Sequence, residues 1–164
     1  MTVPGGVWIR AAAPVDAEEL GRLHVDVWED SYTGLMPAAV FEERRATLPE
    51  RIARWRRNLA KSPSRTIVAE SSTGLVGFAS VGPPRDDDVD VPDELWALYV
   101  RAQWWGKRVG HALLVASLAE RPAYLWVLRG NDRAITFYRG HGFAEDGVTR
   151  SDHHGIELRM VRQA

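Results

Sequence analysis

The 164-residue chain contains no cysteine. That absence excludes disulfide staples and thiolate-ligated zinc, gives no reason to expect an oxidising compartment, and leaves any metal site to His and carboxylates alone. No apolar run approaches the roughly eighteen residues that span a bilayer, and the N-terminus lacks the charged and apolar blocks of a signal peptide. A soluble, cytoplasmic protein without membrane association is therefore expected. The chain also lacks an excess of either charge: 21 Lys plus Arg stand against 22 Asp plus Glu, a formal charge of −1. Nucleic-acid binding through bulk electrostatics normally requires a basic excess and is not expected. No internal repeat, low-complexity tract or interdomain linker is present, so residues 1–164 read as one domain with 45% apolar and 9% aromatic residues.

What is present alternates in period. Val7–Ala11 is a short β-prone run ended by Pro14, and Asp16 with Glu19 three residues later has the spacing of a capping box. Leu20, Leu23 and Val27 form the stripe of the following helix, which should end near Ser31-Tyr32-Thr33-Gly34. Pro37 and Pro49 stand where helices can start, and Phe41, Leu48, Ile52, Trp55 and Leu59 carry helical periodicity. Thr66–Glu70, a Ser-Ser-Thr-Gly turn and Leu75–Val81 read as a hairpin. A loop from Gly82 then holds Asp86, Asp87, Asp88, Asp90, Asp93 and Glu94 before the apolar strand Leu95–Val100. A glycine-containing turn leads to a stripe of Val109, Leu113, Leu114 and Leu118, closed by Pro122. Tyr124–Leu128 is a strand, Asn131–Arg139 a short helix, and Ile156–Val161 a last alternating strand. The fold class is mixed α/β with a single sheet.

Two segments carry chemistry. After strand Leu98-Tyr99-Val100, Gly106, Lys107, Arg108, Val109, Gly110 and His111 form a glycine-containing passage into the helix whose apolar stripe begins at Val109. A strand that feeds a glycine turn into a helix N-terminus presents unpaired N–H groups and about half a positive charge, which suits a phosphate. An ordinary strand-to-helix turn has the same pattern. Asn131, Ile135 and Tyr138 fall at i, i+4 and i+7, so Asn131 and Tyr138 either line a cleft together or serve as a helix cap and a packed ring.

Leu98-Tyr99-Val100 with its glycine turn, Trp126-Val127-Leu128, and Asn131-x-Arg133-Ala134-Ile135-x-Phe137-Tyr138-x-x-x-Gly142-Phe143, in that order, resemble the GNAT superfamily of acetyl-CoA-dependent N-acetyltransferases. The resemblance is strongest from Leu95 to Phe143 and extends over nearly the whole chain. It implies the acyl-CoA N-acyltransferase fold, a mixed and mostly antiparallel sheet with splayed central strands flanked by helices. It also implies acetyl-CoA as co-substrate. Leu98, Tyr99 and Val100 would bind the pantetheine arm through their backbone, and Gly106, Lys107, Arg108, Val109, Gly110 and His111 would hold the pyrophosphate. Asn131 would contact the cofactor arm, and Tyr138 would stand near the sulfur as general acid. Two positions depart from the family pattern: Trp105 replaces its usual Gln or Arg, and Arg108 its middle glycine.

The implied reaction is direct attack of a primary amine in a ternary complex, since no Cys exists to carry an acyl group. An aliphatic ammonium is deprotonated in only about four molecules in ten thousand at pH 7. Glu94, at the entry of the Leu98 strand, is the expected base, because the resemblance places residues of that strand beside the thioester; a solvated loop carboxylate is the alternative reading, and Trp96, where some family members carry Glu or His, offers no proton acceptor. A backbone N–H of Tyr99 or Val100 is expected to serve the oxyanion. The acidic stretch Asp86–Glu94 reads either as steering for a small cationic acceptor or as an exposed acidic loop; the resemblance places the acceptor wall at the end of the first helix, where Trp28 and Tyr32, four apart, would form an aromatic wall, with core packing the alternative for Trp28. A protein or peptide amine is the alternative acceptor, and an acyl-CoA-binding sensor without turnover the alternative function. The resemblance is compatible with a homodimer. Asp152-His153-His154 has no third ligand at useful spacing, so no metal is expected. Arg44, Arg45, Arg51, Arg54, Arg56 and Arg57, interleaved with Glu42, Glu43 and Glu50, read as a solvated helix face.

Overall fold

A computed structural model describes residues 1–62 and 64–164. Two short strands, β1 (Thr2–Val3) and β2 (Val7–Ala11), precede three helices, α1 (Ala17–Tyr32), α2 (Ala38–Ala46) and α3 (Leu48–Lys61). The hairpin β3 (Arg65–Ser71) and β4 (Gly74–Gly82) follows, then β5 (Asp93–Val100), α4 (Val109–Leu118), β6 (Ala123–Leu128), α5 (Asp132–Arg139), β7 (Ala144–Asp152) and β8 (Gly155–Arg162). The described residues form one eight-stranded sheet in the order β1-β2-β3-β4-β5-β6-β8-β7. All its ladders are antiparallel except β5 with β6. No described helix is long and apolar enough to cross a membrane.

Periodicity explains the layers. The Leu20, Leu23 and Val27 stripe of α1 is fully buried and packs with Trp55 of α3 and with Leu75 and Phe78 of β4. Val109, Leu113, Leu114 and Leu118 of α4 pack with Val76, Ala79 and Val81 of the same strand. β4 is thus covered by both apolar clusters, which is why it reads as a continuous hydrophobic run instead of an alternating one. Pro37 stands at the N-cap of α2 and Pro49 in the first turn of α3.

Three readings change. Asp16 and Glu19 do not form a capping box. The Asp16 carboxylate accepts hydrogen bonds from Arg10 and from the Ala13 N–H, while Glu19 Oε1 accepts from Leu75 N–H at 2.7 Å and ties α1 to β4. Asp16 already has helical dihedrals within a short 3₁₀ turn, so its side chain points back along the chain. The hairpin partner β7 was not expected: almost all of it is exposed, so no apolar alternation marks it. β8 begins at Gly155 and ends at Arg162, slightly beyond Ile156–Val161.

The feature that opens the sheet lies between β5 and β6. They pair only at Asp93 with Ala123 and Glu94 with Tyr124. On the other edge of β5, adjacent residues Val81 and Ser80 of β4 pair with Leu95 and Ala97, so Trp96 is the extra residue of a bulge. A bulge bends its strand and increases local twist. β5 therefore diverges from β6 just beyond the last shared pair. Gly82 makes room for the bulged ring, since a Cβ there would lie 2.5 Å from Trp96 Cζ2.

Candidate active site

Where β5 and β6 separate, the chain encloses a cleft of about 470 Å³, within the ordinary range for small-molecule sites. Leu98, Tyr99 and Val100 of β5 form one wall, and Trp126 and Val127 of β6 contribute opposite them. From Leu95 onward β5 has no strand partner on this side. Its outward backbone groups thus form a free strand edge inside the sheet, a template for an extended ligand.

The cleft ends at the turn into α4. Gly106 and Arg108 both have left-handed dihedrals, with φ values of 72° and 66°. Arg108 occupies the N-cap position of α4 and leads into the free N–H groups of that helix's first turn. Gly106, Arg108, Val109, Gly110 and His111 line this end, whereas Lys107 does not; its ammonium sits 5.1 Å from the Trp104 ring centroid. Trp105, the family's departure, braces the turn. Its Nε1–H donates to the Val100 carbonyl at 2.8 Å, and the Arg133 guanidinium stacks on its ring at 3.6 Å. His141 Nδ1 donates to the Phe137 carbonyl, so its Nε2 accepts from His111 Nδ1 at 2.9 Å. Burial, followed by the nearby Arg108 charge, pulls the His111 pKa down.

Asn131 caps α5 and Tyr138 lies within it, and both expected roles of Asn131 coincide. Its Oδ1 accepts from Ala134 N–H as the helix cap, at 3.4 Å, while the residue also lines the cleft. The Tyr138 ring packs edge-on against Phe137 and Phe143, and its phenol faces the cleft. Burial holds its pKa well above the ordinary tyrosine value, so it stays protonated at neutral pH.

A second cavity of about 350 Å³ adjoins the first through shared walls at Tyr32, Leu95, Trp96, Tyr99 and Trp126. Trp28 lines only this second cavity, and Tyr32 lines both. The two rings meet edge-on at 4.8 Å, and the Tyr32 and Tyr99 hydroxyls are hydrogen-bonded at 2.9 Å.

Glu94 also lines the second cavity, but it is engaged. It is 1% exposed, and its oxygens accept from Arg85 N–H at 3.0 Å, Arg85 Nε at 3.0 Å, Arg85 Nη2 at 2.7 Å and the Tyr124 hydroxyl at 2.8 Å. Desolvation pushes its pKa up, yet the Arg85 and Tyr124 hydrogen bonds outweigh it and leave the pKa below the ordinary value. The rest of the acidic stretch is largely paired as well. Arg159, 4% exposed, holds Asp86 at 3.1 Å and Asp88 at 2.5 Å, and Asp93 pairs with Arg121 at 2.9 Å. Four of its six acids, Asp86, Asp88, Asp93 and Glu94, are thus neutralised by arginines.

Sequence reasoning missed Arg44. Instead of belonging to a solvated face, it is 7% exposed and its guanidinium lies 3.6 Å from the Trp28 ring centroid, on the wall of the second cavity. The signal was present: Phe41 and Arg44, at i and i+3, share the buried side of α2. His153 and His154 line the same cavity with rings 4.3 Å apart, and the described residues contain no cluster of three metal-ligating side chains.

Comparison with known proteins gives this geometry a family. A model of the acetyltransferase (GNAT) domain matches residues 62–145. A probable N-acetyltransferase of Mycobacterium tuberculosis, Rv2775, is 28% identical over 151 residues, spanning 89% of this chain and 84% of its own. An uncharacterized N-acetyltransferase of Bacillus subtilis, YuaI, is 28% identical over 166 residues, spanning 94% and 90%. Among solved structures, the PaiA N-acetyltransferase of Thermoplasma acidophilum in complex with coenzyme A superposes with a TM-score of 0.73 at 20% identity, covering 97% of this chain and 99% of that one. The matched residues run from the start of β3 to the start of β7, more than half of the chain, and the chain belongs to the GNAT acetyltransferase family.

Proposed function

We propose that the chain transfers the acetyl group of acetyl-CoA to a primary amine by direct attack in a ternary complex. The observation that carries this reading is the free edge of β5, which runs along the cleft and ends at the N-terminus of α4. An extended, amide-containing arm that ends in a pyrophosphate fits such a site: strand-like hydrogen bonds along Leu98, Tyr99 and Val100, then helix N–H groups at Val109, Gly110 and His111. Acetyl-CoA supplies an activated acyl group as a thioester.

The residues of the chain do the rest. Asn131 and the β5 edge align the arm, and a backbone N–H of Tyr99 or Val100 serves the charge that grows on the carbonyl oxygen. The Tyr138 phenol donates to the departing sulfur; its elevated pKa keeps that proton available across neutral pH. The amine enters through the second cavity, beside Trp28 and Tyr32. Glu94 serves this wall by anchoring Arg85 and Tyr124, because its four hydrogen bonds and lowered pKa make it a poor proton acceptor. The amine proton passes to solvent in that cavity.

The test is Tyr138→Phe. The variant should retain acetyl-CoA affinity by calorimetry and lose roughly 10²-fold in kcat, the lower end of the usual range for proton donation. Wild-type turnover would remove the phenol from the mechanism. Saturable acetyl-CoA binding without transfer to any amine would favour a sensor.

A further inference from the structure

Arg44 is the one charged side chain of the second cavity whose burial this fold leaves unexplained. Buried arginines are ordinarily paired, because leaving a desolvated guanidinium N–H unsatisfied is costly. Here Nε and Nη2 are buried with no hydrogen-bond partner, and no described carboxylate forms an ion pair with this side chain. The other arginines of the cavity are taken: Arg85 by Glu94 at 2.7 Å, Arg150 by Glu157 at 2.8 Å. Arg51, the neighbouring cation, reaches Glu43 at 3.5 Å. Stacking on Trp28 occupies the face of the Arg44 guanidinium and fixes its plane while leaving its edge donors uncommitted. The Tyr32 and Tyr99 hydroxyls, bonded to each other at 2.9 Å, stand on the same cavity wall as further hydroxyl partners.

We propose that Arg44 is an oxyanion subsite of the acceptor cavity, so that the amine acetylated here also carries a carboxylate or a phosphate. The inference rests on the reading of the second cavity as the acceptor's. It departs from the expectation of a small cationic acceptor, whose basis, the acidic stretch, is mostly paired with arginines. Burial lowers the Arg44 pKa to about 10, so the group is still a cation at neutral pH. A planar, oriented guanidinium binds a carboxylate or phosphate through paired N–H donors, which suits these two anions over a halide or a neutral amide.

The experiment compares matched amines with and without the anion: common L-amino acids against their carboxamides, and O-phosphoethanolamine against ethanolamine. Each is measured twice, as an acetyl acceptor and by calorimetric binding to the protein saturated with non-acetylated coenzyme A. At least one anionic member should exceed its neutral partner by about 10- to 100-fold in kcat/KM and in affinity, the range for a hydrogen bond to a charged group. The amino-acid pairs and the phosphate pair identify which anion is used. Arg44→Met should abolish that preference while coenzyme A affinity is unchanged, and Arg44→Lys should restore part of it.

Equal use of both members in every pair overturns the subsite, as does a preference that survives in Arg44→Met. If Arg44→Met does not fold, the wild-type comparison and Arg44→Lys still decide. Turnover without an anionic preference defeats the subsite and leaves acetyl transfer standing. Arg44-dependent binding without turnover defeats acetyl transfer and leaves the subsite standing.

Discussion

Glu94 and Arg44 are both buried ionisable groups on one cavity wall, but only Glu94 has its partners. Its folded pKa lies below the ordinary glutamate value of 4.5, so its contribution to stability is complete above about pH 4.5 and is lost as pH falls through the folded value. Glu94→Gln should therefore destabilise by about 1–3 kcal/mol at pH 7 and flatten the acid limb of the stability curve. If Glu94 only anchors Arg85 and Tyr124, folded Glu94→Gln should keep kcat within a few-fold. A collapse of kcat at unchanged melting temperature would instead make it the proton acceptor. From sequence, Glu94 was one acid among six, and nothing in the linear order shows that Arg85 and Tyr124, nine and thirty residues away, converge on it. Arg44 was hidden for the converse reason. Local interleaving with Glu42 and Glu43 implies solvent, whereas the α2 packing that carries Phe41 inward carries Arg44 with it.

Elements with a strong period were legible. The α1 stripe, the β3–β4 hairpin, β5, α4 and β6 fall where apolar spacing and the prolines place them. β7 was not, because an exposed edge strand held by backbone pairing to β8 needs no apolar code. The strand divergence that makes the cleft is also silent in composition, since it depends on Trp96 being the extra residue against β4. At the turn into α4, Arg108 holds a left-handed φ of 66° that costs a non-glycine residue roughly 1 kcal/mol. Arg108→Gly should raise stability by about that amount, or about 2–4 °C in Tm for a domain of this size, measured by thermal unfolding without ligand. An unchanged or lower Tm would mean that the Arg108 side chain contributes more than its backbone costs.

At the scale of the whole molecule, a formal charge of −1 conceals extensive internal pairing: Arg159 gathers Asp86, Asp88 and Asp146, Arg85 holds Glu94, and Arg121 holds Asp93. This neutralisation leaves the two adjoining cavities to be distinguished by geometry, one with a free strand edge and a helix N-terminus, the other with aromatic walls and an unpaired guanidinium. The two cavities share Tyr99 and Trp126, so in the proposed reaction an acyl group held in one would meet an amine held in the other. The most direct measurement is therefore thiol release from acetyl-CoA with and without a panel of primary amines, with the product identified by mass spectrometry. Amine-dependent release matched one-to-one by N-acetylated product is the predicted result; saturable acetyl-CoA binding with no amine-dependent release across the panel would contradict it.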